Sequence, residues 1–189
     1  MHVTEGDSDA ALTRRVRAGD AEAFGMLIER YKRRAYAQAL GIVRSREDAL
    51  DLAQEAFARA YRARHTLDPD RPFYAWLYQI LRRLCFNFLR DARTQARLME
   101  AQGHEWLVAI ASAAHADPLQ EAERSEARRR VTAAIDALPP HEREVLVLKE
   151  FEELKYREIA ELVGVPLGTV MSRLYSARKR LADALEIHR

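Results

Sequence analysis

The last quarter of the chain carries polar and basic side chains at a spacing suited to the recognition of duplex DNA. A helical period of 100° per residue places them on the outer face of one helix. The face consists of Gly168, Met171, Ser172, Arg173, Tyr175, Ser176, Arg178, Lys179 and Arg180. Polar side chains can bond to base edges in the major groove, while cations hold phosphates. The pattern predicts a DNA-reading helix, and a merely solvated basic face is the alternative.

A short helix and a tight turn precede this face, as a helix-turn-helix requires. Ile159 and Val163 line one side of the short helix, and Ala160 is small enough for two helices to cross closely. Gly164 permits the left-handed backbone of the turn, and Val165 fills its corner. We therefore predict a helix-turn-helix, with a plain helical hairpin as the alternative.

A second basic helix, predicted from about Phe73 to Arg93, has an aromatic residue on its polar face. Its predicted buried stripe consists of Phe73, Leu77, Leu81, Leu84 and Phe88. The opposite face carries Gln79, Arg82, Arg83, Phe86 and Arg90. An exposed phenylalanine among arginines suits unpaired nucleic acid, because bases stack on aromatic rings while arginines follow the phosphates. For Tyr74, Trp76 and Tyr78, packing in the core or at its boundary is the favoured interpretation, and for Phe86 such packing is an equal alternative to exposure.

An acidic helix precedes this basic one. From Glu47 to Glu55 there are four acids and no base. The periodicity predicts a buried stripe of Leu50, Ala53, Phe57, Ala60 and Tyr61. It leaves the acids outside, with Gln54 at the edge. The helix dipole explains acids in the first turn, Glu47 and Asp48, but not Asp51 and Glu55. Those two predict a contact with a basic protein partner.

The elements that position these faces are predicted to be helical throughout. Apolar residues repeat at spacings of three and four, and no convincing period-two run occurs. Predicted helices run from Asp7 or Ser8 toward Gly19, over about 21–40, from a Ser45 cap to about 64, over about 73–93, from 117 to 138, and as three more between 141 and 189. The expected fold class is all-α. Two small helical domains, residues 7–95 and 117–189, are joined by a flexible linker over residues 96–116, and the second domain contains the helix-turn-helix.

Composition narrows the possible functions. The chain has 189 residues, 48% of them apolar, and a net charge of +2. Its single cysteine, Cys85, excludes a disulfide framework and a cysteine-based zinc site. No phosphate-binding glycine loop, metal-ligand spacing or nucleophile motif is present, so we expect no cofactor, no metal and no enzymatic activity. Without a signal peptide or a run of about 20 apolar residues, a soluble cytoplasmic protein with no membrane insertion is expected.

Five segments of the chain follow the order and spacing of a known family. They are DAEAF from Asp20, DALDLAQEAFARAY from Asp48, FYAWLYQILRRLCFNFLR from Phe73, Ala137-Leu138-Pro139 with Arg143, and GTVMSRLYSARKRL from Gly168. Together they resemble the bacterial extracytoplasmic-function (ECF) sigma factors of the sigma-70 family. The resemblance covers about residues 20–95 and 118–185.

This resemblance implies a protein that binds core RNA polymerase, through the coiled coil of the β′ subunit and the β subunit, and directs it to promoter DNA. It assigns the β′ contact to Asp48, Asp51, Gln54 and Glu55. It assigns opening of the −10 element and binding of the unpaired strand to Asp70, Arg71, Trp76, Gln79, Arg82, Arg83, Phe86, Asn87 and Arg90. It adds Thr169 to the face that reads the −35 element. The family also commonly has an anti-sigma factor as a partner.

The chain departs from the family pattern where sequence is read. Leu81-Arg82-Arg83 and Asn87 stand where Ala-Arg-Asn and a later Asp are common, which affects the −10 sequence that is recognised. Met171 and Ser176 replace basic residues that could make bidentate contacts to guanine. We therefore expect a −35 preference that depends more on Ser172, Tyr175, phosphate contacts and DNA shape.

A helix-turn-helix transcriptional regulator is the alternative function. Its C-terminal half would be a LuxR-type output domain, and its N-terminal half would be a sensor. The acidic helix and the arginine-aromatic helix make a poor ligand sensor and a good surface for polymerase and single-stranded DNA, which favours the sigma factor.

Overall fold

The computed structural model describes residues 8–101 and 120–186, and the side chains of residues 8–94, 126 and 128–186. In these parts of the chain, eight α-helices and a short 3-10 turn at Arg64–Thr66 form the regular structure. The helices are α1 (Asp9–Arg17), α2 (Ala21–Val43), α3 (Arg46–Arg62), α4 (Phe73–Ala101), α5 (Gln120–Asp136), α6 (Pro140–Glu150), α7 (Tyr156–Val163) and α8 (Leu167–Ala184). The all-α prediction is confirmed. None of the described helices is long and apolar enough to cross a membrane.

Local capping explains where the first three helices begin. The side chain of Ser8 accepts a hydrogen bond from the backbone amide of Ala11, and Asp20 accepts one from Ala23. Ser45 accepts from the amide of Asp48 at 3.3 Å, as its predicted capping role requires. Each cap satisfies an amide that has no partner inside its helix.

Two predicted helix ends are wrong. α2 continues through Gly41 to Val43 and ends at Arg44, which adopts the left-handed conformation with φ 65°. Gly41 does not break the helix because a neighbouring helix packs on it there. α4 continues past Arg93 to Ala101 and so enters the segment predicted as linker. Its last eight residues contain no glycine or proline and favour helix. The rest of the predicted linker and the predicted start of α5 at Asp117 lie outside the described residues.

The N-terminal unit, α1 to α4, surrounds an aromatic core. Phe73 is 1% exposed, and the ring centroids of Phe24 and Tyr61 lie 5.0 Å apart. Leu77 and Tyr78 are fully buried. α4 therefore presents its apolar stripe to α2 and α3, which leaves its opposite face for other contacts.

The C-terminal unit, α5 to α8, contains the predicted helix-turn-helix. Ile159 and Val163 of α7 are buried, and so are Val170 and Leu174 of α8. Gly164 ends α7 with φ +73°, and its amide donates to the carbonyl of Ala160 at 2.9 Å. The close crossing and the left-handed turn are those that the sequence predicts.

The two units pack directly against each other. α2 contacts α6, and α4 contacts α7. Their buried side chains form one continuous cluster that includes Leu77 of the N-terminal unit and Leu148 of the C-terminal unit. No local pattern in the sequence predicts this packing, which determines which functional faces are exposed to solvent.

Candidate nucleic-acid and protein interfaces

The outer face of α8 is open to solvent. Tyr175 is 72% exposed and Met171 52%, and Gly168 and Ser172 are also exposed. The Ser172 hydroxyl donates to the carbonyl of Thr169 at 3.0 Å, and its oxygen can still accept a hydrogen bond. Thr169, Arg173 and Ser176 are partly buried at the sides of this face, which we name the duplex face. Its shape and chemistry suit a major groove.

The cations beside the duplex face differ in how they are held. Arg178 donates to Glu150 at 2.7 Å and lies 3.5 Å from the Tyr156 hydroxyl, and the bond to Glu150 is the main reason that the Arg178 pKa is raised. Lys179 is exposed and has no ion pair among the described residues. Both side chains can approach a phosphate, but Arg178 must first exchange its bond to Glu150.

The polar face of α4 is divided by the packing of the two units. Arg83, Asn87 and Arg90 are exposed, whereas Gln79 and Arg82 are partly buried against the C-terminal unit. The Gln79 amide donates to the carbonyl of Leu162 at the end of α7. Part of the predicted single-strand face is therefore covered.

Arg82 forms an ion pair across the boundary between the units. Its Nε donates to Oε1 of Glu144 at 2.6 Å, and its Nη2 donates to Oε2 at 3.2 Å. The Tyr78 hydroxyl donates to the same Oε1 at 2.8 Å. Glu144 has no exposed side-chain surface, so a buried carboxylate of the C-terminal unit depends on two donors from α4.

Phe86 is partly buried, and its predicted exposure is wrong. Its ring stacks on His141 with centroids 4.5 Å apart and planes at 13°, and the Arg82 guanidinium lies 4.7 Å from the Phe86 centroid. The periodicity of α4 alone cannot indicate that another unit covers this side. Phe88, predicted within the buried stripe, is only partly buried.

His141 lies where cations of both units meet. The pKa of His141 is lowered from 6.5, mainly because the ring is partly removed from water. A smaller cause is the repulsion that a protonated ring would meet from Arg173, Arg82 and Arg93. Arg173 comes from α8, and the other two arginines come from α4. The neutral ring is therefore the form that fits this packing.

The loop before α4 is exposed at both residues that the resemblance assigns to DNA. Asp70 and Arg71 point away from the core, and the amide of Asp70 donates to the Asp68 side chain at 3.0 Å. Trp76 is partly buried, with its ring centroid 6.0 Å from that of Phe73. Asp70 and Arg71 of the loop are thus exposed, and the next exposed residue of α4 is Arg83.

The acidic face of α3 contains a residue that the periodicity misplaced. Leu50, predicted to be buried, is 49% exposed, whereas Ala49 and Ala56 are fully buried. Small alanines let α3 pack closely: Ala53, Phe57 and Ala60 are buried as predicted, while Ala49 and Ala56 are buried instead of Leu50 and Tyr61. Leu50 therefore lies on the surface beside Asp51 and adds an apolar contact to the acidic face.

The acids of this face are not equally available. Asp51 and Gln54 are exposed, while Asp48 and Glu55 are partly buried. Glu55 accepts hydrogen bonds from Arg59 at 2.7 Å and Arg62 at 3.1 Å, which lower its pKa. In the described parts of the chain Asp51 has no ion pair, which leaves its full charge for a partner. We name Leu50, Asp51 and Gln54 the docking face.

The spacing of residues in α6 carries a signal for the burial of Glu144. Glu144 precedes Leu148 by four residues, so both lie on the same side of α6, and Leu148 is fully buried. An acid on an apolar stripe requires a buried partner. That partner, Arg82, is 62 residues away in the chain.

Known families match both units. A family described as sigma-70 region 2 matches residues 27–95, and one described as sigma-70, region 4 matches residues 128–181. The match to region 2 gives no support to the alternative in which the N-terminal half is the sensor of a LuxR-type regulator.

Curated relatives match nearly the whole chain. The RNA polymerase sigma-H factor of Pseudomonas aeruginosa is 34% identical over 183 residues, which are 95% of each protein. The ECF RNA polymerase sigma-E factor of Escherichia coli K12 is 33% identical over 189 residues, 97% of each protein. Among solved structures, CnrH in complex with the cytosolic domain of CnrY is 26% identical, with a TM-score of 0.66 over 96% of this chain and 99% of that one. The chain therefore belongs to the sigma-70 family as an ECF-type sigma factor, the subunit that binds core RNA polymerase and directs it to promoters.

Proposed function

We propose that three separate faces of this sigma factor divide the work of initiation between two domains. Residues 7–95 bind core polymerase and open the −10 element, residues 117–189 read the −35 element, and residues 96–116 link them. The observation that carries this proposal is that region 2 and region 4 matches follow in order on one chain. The chain supplies binding surfaces, and the polymerase supplies the catalysis.

The docking face of α3 is assigned to the basic coiled coil of the polymerase β′ subunit. Asp51 and Gln54 are exposed, and Leu50 beside them offers an apolar contact. Asp48 and Glu55 flank this face, although Glu55 must share its charge with Arg59 and Arg62. Apolar contacts framed by complementary charge are typical of specific protein interfaces.

The duplex face of α8 is assigned to the −35 element. Ser172 and Tyr175 are exposed at its centre, where they can reach base edges. Lys179 and Arg178 lie at its far end, where contacts to phosphates position the helix without selecting a sequence. The absence of a basic residue at Met171 leaves Ser172, Tyr175 and DNA shape as the sources of specificity.

The loop and the polar side of α4 are assigned to the unpaired −10 strand. Asp70 and Arg71 form one end of this surface, and Arg83, Asn87 and Arg90 continue it along α4. Gln79, Arg82 and Phe86 complete it once the C-terminal unit moves away, with Trp76 at its base. Stacking of a base on an aromatic ring such as Phe86 contributes about 1–3 kcal/mol.

An anti-sigma factor is the further partner that we assign to this chain. The similar protein CnrH has been solved in complex with the cytosolic domain of CnrY. A partner of that kind would cover the polymerase-binding surfaces. Both the polymerase and an anti-sigma domain of this kind place the chain's activity in the cytoplasm.

Transcription by bacterial core polymerase, with and without the protein, tests the assignment. The template is a fragment carrying the region upstream of the gene for this chain. RNA from a defined start site is expected only when the protein is added. Asp51→Lys should abolish this RNA and binding to core, whereas Glu22→Lys, a charge reversal at an exposed acid of α2, should not. Normal core affinity of Asp51→Lys would refute the docking face.

A further inference from the structure

An acid of α6 is bonded to a cation beside the duplex face. Glu150 is the last residue of α6, and its Oε1 accepts a hydrogen bond from Nη2 of Arg178 at 2.7 Å. Both side chains are about half exposed. The pair therefore lies at the protein surface, where DNA can reach it.

Arg178 lies beside the start of α7. Its Nη1 is 3.5 Å from the hydroxyl of Tyr156, which is the first residue of that helix. In a helix-turn-helix the first helix crosses the DNA backbone, while the second lies in the major groove. A cation of α8 that sits next to α7 is thus placed for a phosphate rather than for a base edge.

The position of Glu150 is unfavourable for an acid within α6 itself. The C-terminal end of a helix carries a partial negative charge, which favours cations such as the neighbouring Lys149. An exposed ion pair contributes little to the stability of a fold. The effect of Glu150 on Arg178 is therefore a better explanation of this carboxylate than the stability of α6.

Glu150 occupies the charge that a phosphate would use. Carboxylate and phosphate oxygens accept the same kind of charge-assisted hydrogen bond from a guanidinium. The bond to Glu150 is the main reason that the pKa of Arg178 is raised. The next residue, Lys179, has no ion pair in the part of the chain that the structure describes. An acid thus competes with DNA for one of these two neighbouring cations and not for the other.

We propose that Glu150 is a positioning residue that acts through Arg178: it stands in for a phosphate in the free chain and lowers the affinity for duplex DNA of any sequence. This inference rests on the proposed assignment of α8 to duplex DNA. On binding, Nη2 of Arg178 leaves the carboxylate for a phosphate oxygen, and the carboxylate returns to water. Because phosphates carry no sequence information, this exchange is equally unfavourable at every site.

Glu150→Gln tests the proposal in the full-length chain. It keeps the size of the side chain and removes its charge, and the exposure of the pair makes a folded variant the expectation. The probe is a fluorescent pool of short random-sequence duplexes, titrated at several salt concentrations. At low salt, duplex binding should become tighter by about threefold or more. Its salt dependence should become steeper, because one more phosphate is neutralised.

Glu29→Gln is the matched control for net charge. Glu29 is an exposed acid of α2 in the N-terminal unit, and it pairs with Lys32 at 2.6 Å. Removing its charge changes the net charge of the chain by the same amount as Glu150→Gln. Duplex binding and its salt dependence should stay close to those of the wild type, since screening weakens exposed charges that are distant from the DNA.

A double-mutant cycle with Arg178→Ala separates competition from direct repulsion. If the carboxylate only repels DNA, Glu150→Gln should tighten binding equally with and without Arg178. If the carboxylate competes for Arg178, the gain should be smaller by about twofold or more in the Arg178→Ala background.

Four results would overturn the inference. Duplex binding that Glu150→Gln leaves unchanged would show no competition, and weaker binding would show that Glu150 orients Arg178 for DNA. An equal gain in both backgrounds would show that Glu150 acts without Arg178. A selection from random duplexes that returns a different sequence profile for Glu150→Gln would show that Glu150 contacts bases. In all four cases the assignment of α8 stands, provided that Arg178→Ala weakens duplex binding; if it does not, the phosphate contact of Arg178 fails as well.

Discussion

Gly25 and Gly41 lie in the same helix, and replacing each by alanine should have different effects. An alanine in a helix interior is more favourable than glycine by about 1 kcal/mol. A methyl group at position 25 meets nothing within 4 Å, so Gly25→Ala should gain this full amount. For a chain of this size, 1 kcal/mol raises Tm by about 2–4 °C.

At position 41 the same methyl group meets a neighbour. It would lie 3.2 and 3.3 Å from the two Cγ atoms of Val147, closer than normal carbon contacts. Overpacking of this kind is unfavourable by about 1–3 kcal/mol. With the helix gain subtracted, the free energy of unfolding of Gly41→Ala should be lower than that of the wild type by about 0–2 kcal/mol. It should be lower than that of Gly25→Ala by about 1–3 kcal/mol.

Denaturant unfolding of the full-length protein measures both variants, and a double-mutant cycle locates the cause. Val147→Ala removes the two Cγ atoms, so combining it with Gly41→Ala should relieve the clash. We expect a favourable coupling energy of about 1 kcal/mol or more. The matched cycle, which combines Gly25→Ala with Val147→Ala, should give no coupling energy, because residue 25 is far from α6.

The reasoning is refuted by a specific pair of results. If Gly41→Ala stabilises the protein as much as Gly25→Ala, and its coupling to Val147→Ala is zero, then α2 and α6 do not pack at residue 41 in solution. If Gly41→Ala stabilises the protein and still couples strongly to Val147→Ala, then α6 shifts to make room for the methyl group and the contact is retained.

Three further predictions concern the duplex face and the packing of the two units against each other. Arg178→Ala should weaken promoter binding similarly across sequences and lower its salt dependence, as a titration with different DNAs at several salt concentrations can show. Ser172→Ala should change which −35 sequences are preferred; a selection experiment that returns the wild-type profile would remove Ser172 from the duplex face. Because the pKa of His141 is lowered where the two units pack together, the packed form binds fewer protons than a form in which the units have separated, and it should weaken as pH falls below about 6.5. Energy transfer between labels on the two units should report this opening, and His141→Phe should abolish its pH dependence.

The features that the sequence predicted correctly depend on neighbouring residues. A serine at position 45 followed by an acid at Asp48 marks a helix start, and the Ser45 cap is present. Gly164 after an apolar stripe marks a left-handed turn, and its φ of +73° agrees. These structures follow from bonds within a few residues, so a local pattern is sufficient.

The features that the sequence analysis missed depend on what packs against a helix. Leu50 is exposed because neighbouring alanines bring α3 close to the core, and Phe86 is covered because His141 of another unit stacks on it. α2 passes Gly41 because α6 lies against it. A single helical period cannot indicate such contacts between distant segments. The roles of the individual site residues remain predictions.

The junction between α2 and α3 connects the packing between the two units to the docking face. Arg44 ends α2 in the left-handed conformation and forms an ion pair with Asp136 of the C-terminal unit, and the next residue, Ser45, caps α3. The docking face begins five residues later, at Leu50. A polymerase that prefers the form in which Arg44 and Asp136 are apart would strengthen single-strand binding by some factor, because Gln79, Arg82 and Phe86 are then uncovered. Thermodynamic reciprocity then requires captured single-stranded DNA to tighten polymerase binding by the same factor.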